Sequence, residues 1–126
     1  MADSILSLKE VNTYISQHHI LQGVTLDVTA GRPTVFLGRN GAGKSSTLRA
    51  IIGLNPVTSG EIHLDGLPIQ DRKPYEIARL GVGFVAEDRA VFYNLSVEEN
   101  MRLSMFEENE QTGSRLETIF ELFPDL

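Results

Sequence analysis

The stretch GRNGAGKSS, residues 38–46, decides the fold of this chain. It matches the pattern G-x-x-x-x-G-K-[ST], in which a backbone loop wraps a row of phosphate groups at the start of a helix. Glycines in such a loop adopt conformations that other residues avoid, and they let phosphate oxygens approach the N–H groups. The motif therefore predicts a loop that binds a triphosphate together with Mg²⁺.

The residues of this loop have different expected roles. Lys44 brings a full positive charge to the outer phosphates, and the hydroxyl of Ser45 is a ligand for Mg²⁺. The loop backbone forms an anion nest, to which the following helix adds partial positive charge. We therefore expect the nucleotide to be bound by Gly38, Arg39, Asn40, Gly41, Ala42, Gly43, Lys44, Ser45 and Ser46.

The segments on both sides of the loop have the pattern that the motif requires. Residues 34–37 form a continuous apolar run, which is typical of a strand buried on both faces. Residues 45–52 predict a helix with Leu48, Ile51 and Ile52 at helical spacing, and Gly53 ends it. The loop is thus expected to connect a buried strand to a helix.

The rest of the chain predicts short elements of both kinds. Apolar alternation or runs predict strands at residues 4–11, 23–29, 60–64 and 82–85. Asp65-Gly66 is a hairpin turn signal. Start and stop signals predict helices after Pro74 up to Gly81, over 97–106 behind a capping box of Ser96 and Glu99, and over 114–123, with a loop at 107–113. The order predicts a mixed α/β domain with a parallel element around the phosphate loop.

The bulk composition excludes several classes of function. The net charge is 11 − 17 = −6, which argues against a general nucleic-acid binder. Without cysteine there are no disulfides or thiolate metal sites. The start has no signal-peptide pattern, and no apolar run is long enough to span a bilayer. His18, His19 and His63 lack zinc-ligand spacing and are interpreted as solvated side chains.

Longer stretches of the sequence resemble a known family. The segment GRNGAGKSSTLRAIIGL, from residue 38, resembles the Walker A segment of ATP-binding cassette (ABC) ATPases. The flanks SGEIHLDGLPI, from residue 59, and GVGFVAEDRAVFYNLSVEENM, from residue 81, agree, so the resemblance covers essentially the whole chain. The second flank is most similar to subunits of branched-chain amino-acid and urea importers, in which V-P-E-x-R and L-T-V-x-E-N-L are common.

The resemblance implies a fold and two further site residues. It implies a P-loop NTPase with a mixed sheet, in which residues 1–86 form an antiparallel β subdomain with a partial parallel core. Residues 87–126 would hold the Q-loop and the start of the helical subdomain. Tyr14 matches the aromatic that stacks on adenine, the alternative being a half-buried strand tyrosine. Glu87 stands at the Q-loop glutamine position near Mg²⁺, the alternative being a solvated loop acid.

The resemblance also implies a function and partners. The chain would be part of an importer ATPase that uses ATP and Mg²⁺, paired with a second nucleotide-binding subunit and bound to transmembrane permease subunits. It would be cytoplasmic, at the inner face of the membrane. One alternative is a soluble ABC protein without a permease. Another, a P-loop kinase or GTPase, is disfavoured because no Asn-Lys-x-Asp motif is present.

Other parts of the family pattern are missing from this sequence. It contains no LSGGQ signature, no Walker B strand ending in Asp-Glu and no switch histidine after it. By resemblance, we expect this sequence to be the N-terminal part of a nucleotide-binding domain, without the strands that flank the P-loop strand. Such a part is expected to bind ATP weakly and not to hydrolyse it.

Overall fold

A four-stranded antiparallel sheet is organised around the strand Ser4–Ile15 (β1). On one side β1 pairs with His18–Thr29 (β2), and on the other with Ser59–Leu64 (β3). The short strand Leu67–Pro68 (β4) pairs with β3, so the spatial order is β2-β1-β3-β4. The computed structural model describes residues 3–39, 41, 43–88, 91–105 and 109–126.

Four helices complete the described secondary structure: Lys44–Ile51 (α1), Pro74–Arg79 (α2), Val97–Leu103 (α3) and Glu110–Leu122 (α4). The chain divides into two compact units, Met1–Phe84 with the sheet, α1 and α2, and Val85–Leu126 with α3 and α4. The expected assignment of residues 1–86 and 87–126 to two functional subdomains stays a prediction. Among the helices described, none is both long and apolar enough to cross a lipid bilayer.

An extra residue in β1 changes which of its side chains are buried. Leu8 pairs with Leu26 and Val11 pairs with Val24, so β1 uses one residue more than β2 over this stretch. Glu10 lies in the extra step with a φ of 48°. Because a bulge of this kind shifts the alternation of a strand, the buried face passes from Leu8 to Val11. Over residues 24–28 of β2 the predicted alternation is confirmed, because Val24, Leu26 and Val28 are partly buried whereas Thr25 and Asp27 are exposed.

The core of the first unit is aliphatic and is contributed by strands, helices and the segment after β4. Its buried residues are Leu8, Val11, Leu21, Ala50, Ile51, Ile62, Ile69 and Ile77. The buried face of α1 differs from the predicted one, because Leu48 is 39% exposed whereas Thr47 is buried. The hydroxyl of Thr47 donates to the carbonyl of Gly43 (2.7 Å), so this polar side chain is satisfied where it lies.

The hairpin predicted at Asp65-Gly66 is confirmed. It joins β3 to β4, with Leu64 and Leu67 paired directly across the turn. Both turn residues have positive φ, 49° and 80°, which is the arrangement of a type I′ turn. This turn matches the right-handed twist of the two strands, and Asp and Gly tolerate the backbone conformation that it requires.

Two predicted strands do not form among the described residues. Residues 34–37 and 82–85 have no strand partner, and Val35, Leu37 and Val85 are 73%, 89% and 91% exposed. The sheet of the described residues is entirely antiparallel, so the parallel core expected around the phosphate loop is not present there. The physical reason is that an apolar run becomes a strand only when a neighbouring strand satisfies its N–H and C=O groups.

The helices of the second unit begin at reciprocal caps. The predicted capping box is confirmed, since Ser96 Oγ accepts from Glu99 N and Glu99 Oε2 accepts from Ser96 N. The last helix begins four residues earlier than predicted, at Glu110. A second box, between Asn109 and Thr112, starts it there. The predicted loop over residues 107–113 is therefore helical from Glu110 onward.

One side chain holds the segment that leads into α3. The Oδ1 atom of Asn100 accepts from the N–H of Phe92 (2.9 Å). Its Nδ2 group donates to the carbonyls of Phe92, Leu95 and Ser96, at 3.0, 3.3 and 2.8 Å. Helix α3 itself has no buried residue. Its position against the preceding segment therefore rests on polar contacts more than on apolar packing.

We predict that Gly60→Ala strongly destabilises the first unit. Gly60 has a φ of 95°, and an added Cβ would stand against the carbonyl of Glu10, well inside van der Waals contact. Backbone atoms of two paired strands cannot move apart cheaply, so the free energy of unfolding should fall by about 3 kcal/mol or more.

The matched control is Gly31→Ala. Gly31 also has a positive φ, 76°, but no described residue lies within 4 Å of the added Cβ. The free energy of unfolding of this variant should fall by only about 1 kcal/mol, the cost of the left-handed conformation for a residue with a Cβ. Urea unfolding followed by far-ultraviolet circular dichroism measures both, and equal losses would contradict the steric argument.

Candidate functional site

The start of α1 is set by Gly43. This residue caps the helix in the left-handed conformation, with a φ of 97° and a ψ of 10°. An added Cβ would lie 3.3 Å from Cδ2 of Leu21 in β2, so the loop runs close to the sheet at this point. The carbonyl of Gly43 accepts from both the N–H and the hydroxyl of Thr47, at 2.8 and 2.7 Å. The end of the loop is thereby fixed to the first turn of the helix.

Lys44 reaches back across the loop. Its Nζ atom donates to the carbonyl of Gly38 at 2.6 Å, which joins the first and last parts of the motif. The ammonium group keeps further N–H donors for other acceptors. No acidic residue lies in the first turn of α1, so the positive end of the helix dipole is not offset there. The lysine and the helix together make a local positive site in an acidic chain.

The remaining residues of the motif differ in exposure. Ser45 is exposed, and its hydroxyl makes no hydrogen bond to any described residue. The carbonyl of Ser46 accepts from Nδ2 of Asn55 (3.2 Å), which ties α1 to the loop that follows it. Arg39 is exposed. The predicted site residues Asn40 and Ala42 lie outside the described residues.

A groove of about 430 Å³ runs between β2 and the phosphate loop. Gly41, with a φ of 88°, lines it from the loop, and Thr47 lines it from α1. The opposite side is formed by side chains of β2. These are His19, Ile20, Leu21, Gln22 and Val24. In this groove, strand side chains and described residues of the predicted phosphate loop border the same space.

Tyr14 lies on β1, directly opposite His19 of β2. The two rings are stacked, with centroids 4.1 Å apart and planes at 6° to each other. Tyr14 is nevertheless 44% exposed, so much of its ring is accessible to a ligand. Its backbone N–H donates to Oγ1 of Thr58 (3.1 Å), which ties this end of β1 to the segment before β3.

The interpretation of His19 as a solvated side chain is wrong. His19 is only partly exposed, and besides the stack it makes a 2.9 Å contact from Nε2 to Oδ1 of Asn12. His18, next to it, is exposed as expected. The signal that could have found His19 is the two-residue turn after Ile15, because such a turn places Tyr14 and His19 opposite each other.

Glu87 lies in the second unit, at an exposed turn that follows Val85. Its expected role near Mg²⁺ therefore stays a prediction. Across the described parts of the chain, no group of three or more His, Asp or Glu side chains is arranged to hold a metal ion. Of the predicted residues that are described, Lys44 and Gly38 are joined by a hydrogen bond, and Gly43 caps the helix that begins at Lys44.

Comparison with known proteins shows relatives along the whole chain. The family model for ABC transporters matches residues 21–125. A probable branched-chain amino acid transport ATP-binding protein, LivF, from Archaeoglobus fulgidus is 32% identical over 97% of this chain and 52% of its own length. The sn-glycerol-3-phosphate import ATP-binding protein UgpC of Vibrio cholerae is 39% identical over 77% of this chain and 26% of its own.

A solved structure has the same fold. CbiO1 from Clostridium perfringens, part of the ABC transporter complex cbiONQ, superposes with a TM-score of 0.73 at 28% identity. The match covers 94% of this chain and 50% of that one. The chain thus spans about half the length of LivF and of CbiO1, and about a quarter of the length of UgpC. Because the family model matches most of its residues, this chain belongs to the ABC transporter family.

Proposed function

We propose that this chain carries the ATP-binding loop of an importer subunit, in which ATP binding and hydrolysis drive uptake of branched-chain amino acids or a similar small solute. The observation that carries this proposal is the closed loop at the start of α1, with Lys44 donating to the carbonyl of Gly38. The comparisons support the class of protein, because the relatives are named as ATP-binding proteins of transport systems.

The phosphate groups would be bound by the loop and by the first turn of α1. Gly41 and Gly43 both have positive φ, and backbone in such turns can present successive N–H groups to an anion. The dipole of α1 favours an anion at this end, and Lys44 supplies the full charge. We propose that Gly38, Arg39, Asn40, Gly41, Ala42, Gly43, Lys44, Ser45 and Ser46 form this site.

Ser45 is the residue that we propose as the Mg²⁺ ligand of the loop. Its exposed hydroxyl follows Lys44 directly, where it can meet a cation bound to the outer phosphates. Mg²⁺ keeps several water and phosphate ligands, so a single protein hydroxyl suffices in such a site. Glu87 is proposed as a further ligand, direct or through water. When bound, the ion neutralises charge on the phosphates.

The base of the nucleotide would stack on Tyr14. This ring lies near the end of β1, and its stacking partner His19 lines the same groove as Gly41. Stacking of a base on an aromatic ring contributes about 1–3 kcal/mol and is tolerant of the base. Tyr14 would therefore make a nucleoside triphosphate bind more tightly than inorganic triphosphate does. It would not by itself select adenine over other bases.

The solute and the partners are proposed from the relatives. The relative that matches 97% of this chain is named for branched-chain amino acid transport, whereas the glycerol-phosphate relative matches 77%. We therefore favour a branched-chain amino acid as the solute. In this proposal the complete protein pairs with a second nucleotide-binding subunit and with permease subunits, at the cytoplasmic face of the membrane.

We predict that Lys44→Ala weakens ATP binding about 10- to 150-fold. The substitution removes a charged hydrogen-bond donor, whose contribution is about 1.5–3 kcal/mol. Isothermal titration calorimetry with ATP and Mg²⁺ measures the change. Lys73→Ala is the control, because Lys73 is an exposed lysine outside the loop and should bind ATP like the unmodified chain. Equal affinities of the Lys44→Ala variant and the unmodified chain would contradict the assignment.

We predict that Tyr14→Ala weakens the binding of ATP but not of inorganic tripolyphosphate. The loss for ATP should be about 1–3 kcal/mol, the contribution of base stacking. The control is Tyr75→Ala, since Tyr75 is an exposed tyrosine of α2 that contacts Arg79. The stacking role is refuted by calorimetry if Tyr14→Ala binds ATP as tightly as the unmodified chain does.

Deletion of the gene in its source organism should lower the uptake of radiolabelled leucine. The unmodified gene should restore uptake, and the same gene with Lys44→Ala should not, because coupling requires the phosphate loop. Glycerol 3-phosphate serves as the second solute, and its uptake is measured in the same strains. If its uptake falls while leucine uptake is unchanged, the branched-chain proposal is wrong and the other relative indicates the solute.

A further inference from the structure

We propose that His19 is a positioning residue of the base site: it covers one face of Tyr14 and fixes the ring plane on which a nucleobase stacks. This inference rests on the proposed function, since it concerns how the same site holds the base. Three observations carry it, namely the geometry of the stack, the anchoring of His19 and the position of His19 in the groove.

The stack leaves Tyr14 with one face for a ligand. With planes 6° apart and centroids 4.1 Å apart, the imidazole lies flat against the phenol ring. Tyr14 stays 44% exposed, so the accessible part of its ring is away from His19. A nucleobase can then stack only from the open side. A flat surface that is already oriented loses less conformational freedom on binding than a free side chain does.

His19 is itself held in place through Asn12. The N–H of Gly23 donates to Oδ1 of Asn12 (3.0 Å), and Nδ2 of Asn12 donates to the carbonyl of Glu10 (3.0 Å). These two backbone partners fix the orientation of the amide, so Oδ1 is an acceptor. His19 must therefore donate from Nε2, so this nitrogen carries a proton. The backbone of both strands thus orients the imidazole, and the imidazole orients Tyr14.

The groove reaches from the phosphate loop to His19, the member of the aromatic pair that lines it. His19 and Gly41 line the same space, of about 430 Å³. The remaining side chains of β2 in that groove are aliphatic, apart from Gln22. A ligand whose phosphates lie at the loop can therefore extend along β2 as far as His19, next to the ring of Tyr14. A nucleoside triphosphate has this combination of an anionic chain and a flat base.

The experiment compares two variants of similar bulk, His19→Leu and His19→Phe. Leucine keeps the volume but removes the flat ring, whereas phenylalanine keeps the ring and loses only the contact with Asn12. Asn12 Oδ1 retains the N–H of Gly23 as a partner in both. Isothermal titration calorimetry on the chain, with Mg²⁺, measures affinity for ATP and for inorganic tripolyphosphate.

The expected results separate positioning from a structural effect. His19→Leu should weaken ATP binding about three- to tenfold, the range of an aromatic pair, and leave tripolyphosphate binding unchanged. His19→Phe, which keeps the ring but loses the contact with Asn12, should bind ATP more tightly than His19→Leu does. His18→Leu, a substitution at the exposed neighbour, should change neither affinity. In the tyrosine band, near-ultraviolet circular dichroism of a Tyr75→Phe, Tyr93→Phe background reports the surroundings of Tyr14, because the chain has three tyrosines and no tryptophan.

Three outcomes would overturn the inference. Equal ATP affinity of His19→Leu and the unmodified chain would show that the ring of His19 does not matter. A parallel loss of ATP and tripolyphosphate affinity would show that the substitution only disturbs the fold. If the unmodified chain bound neither ATP nor tripolyphosphate, the proposed function would fail and this inference with it, whereas the first two outcomes leave the proposed function intact.

Discussion

The left-handed backbone at Gly43 is the constraint on which the site depends. It ends the loop, starts α1 and brings the backbone so close to β2 that an added Cβ would lie 3.3 Å from Cδ2 of Leu21. A side chain at this position would push the loop away from the sheet and would strain the backbone. The groove along β2, the first turn of α1 and the reach of Lys44 all follow from this one junction. No side chain caps α1 with a hydrogen bond, so the end of the loop is positioned by its close approach to β2.

Local signals in the sequence predicted those elements that local interactions stabilise. The hairpin at Asp65-Gly66 and the capping box of Ser96 and Glu99 form where turn and cap chemistry require them. The runs at residues 34–37 and 82–85 were predicted as strands, but they do not form strands in the structure. An apolar run alone does not show whether a neighbouring strand is present to pair with it. The bulge at Glu10 was not predicted either, since it arises from the register between β1 and its partners.

The candidate site was predictable to a similar extent. The glycines, the lysine and the serine of the loop were predicted as ligands from a motif whose residue spacing is set by phosphate binding. The family resemblance indicated Tyr14. His19 was not identified in this way. Its importance comes from lying opposite Tyr14 across the turn after Ile15 and from its contact with the Asn12 amide. Residues that act by supporting another side chain are generally visible only once the register of the strands is known.

The hydrogen bonds of Asn100 have a consequence for how the second unit opens. They hold the segment from Phe92 to Ser96 against a helix that buries no residue, so little apolar surface is exposed when this part comes apart. Heat capacity changes and denaturant sensitivity both scale with newly exposed surface. This segment can therefore separate from α3 in a local fluctuation that is nearly insensitive to denaturant, while the aliphatic core of the sheet stays closed.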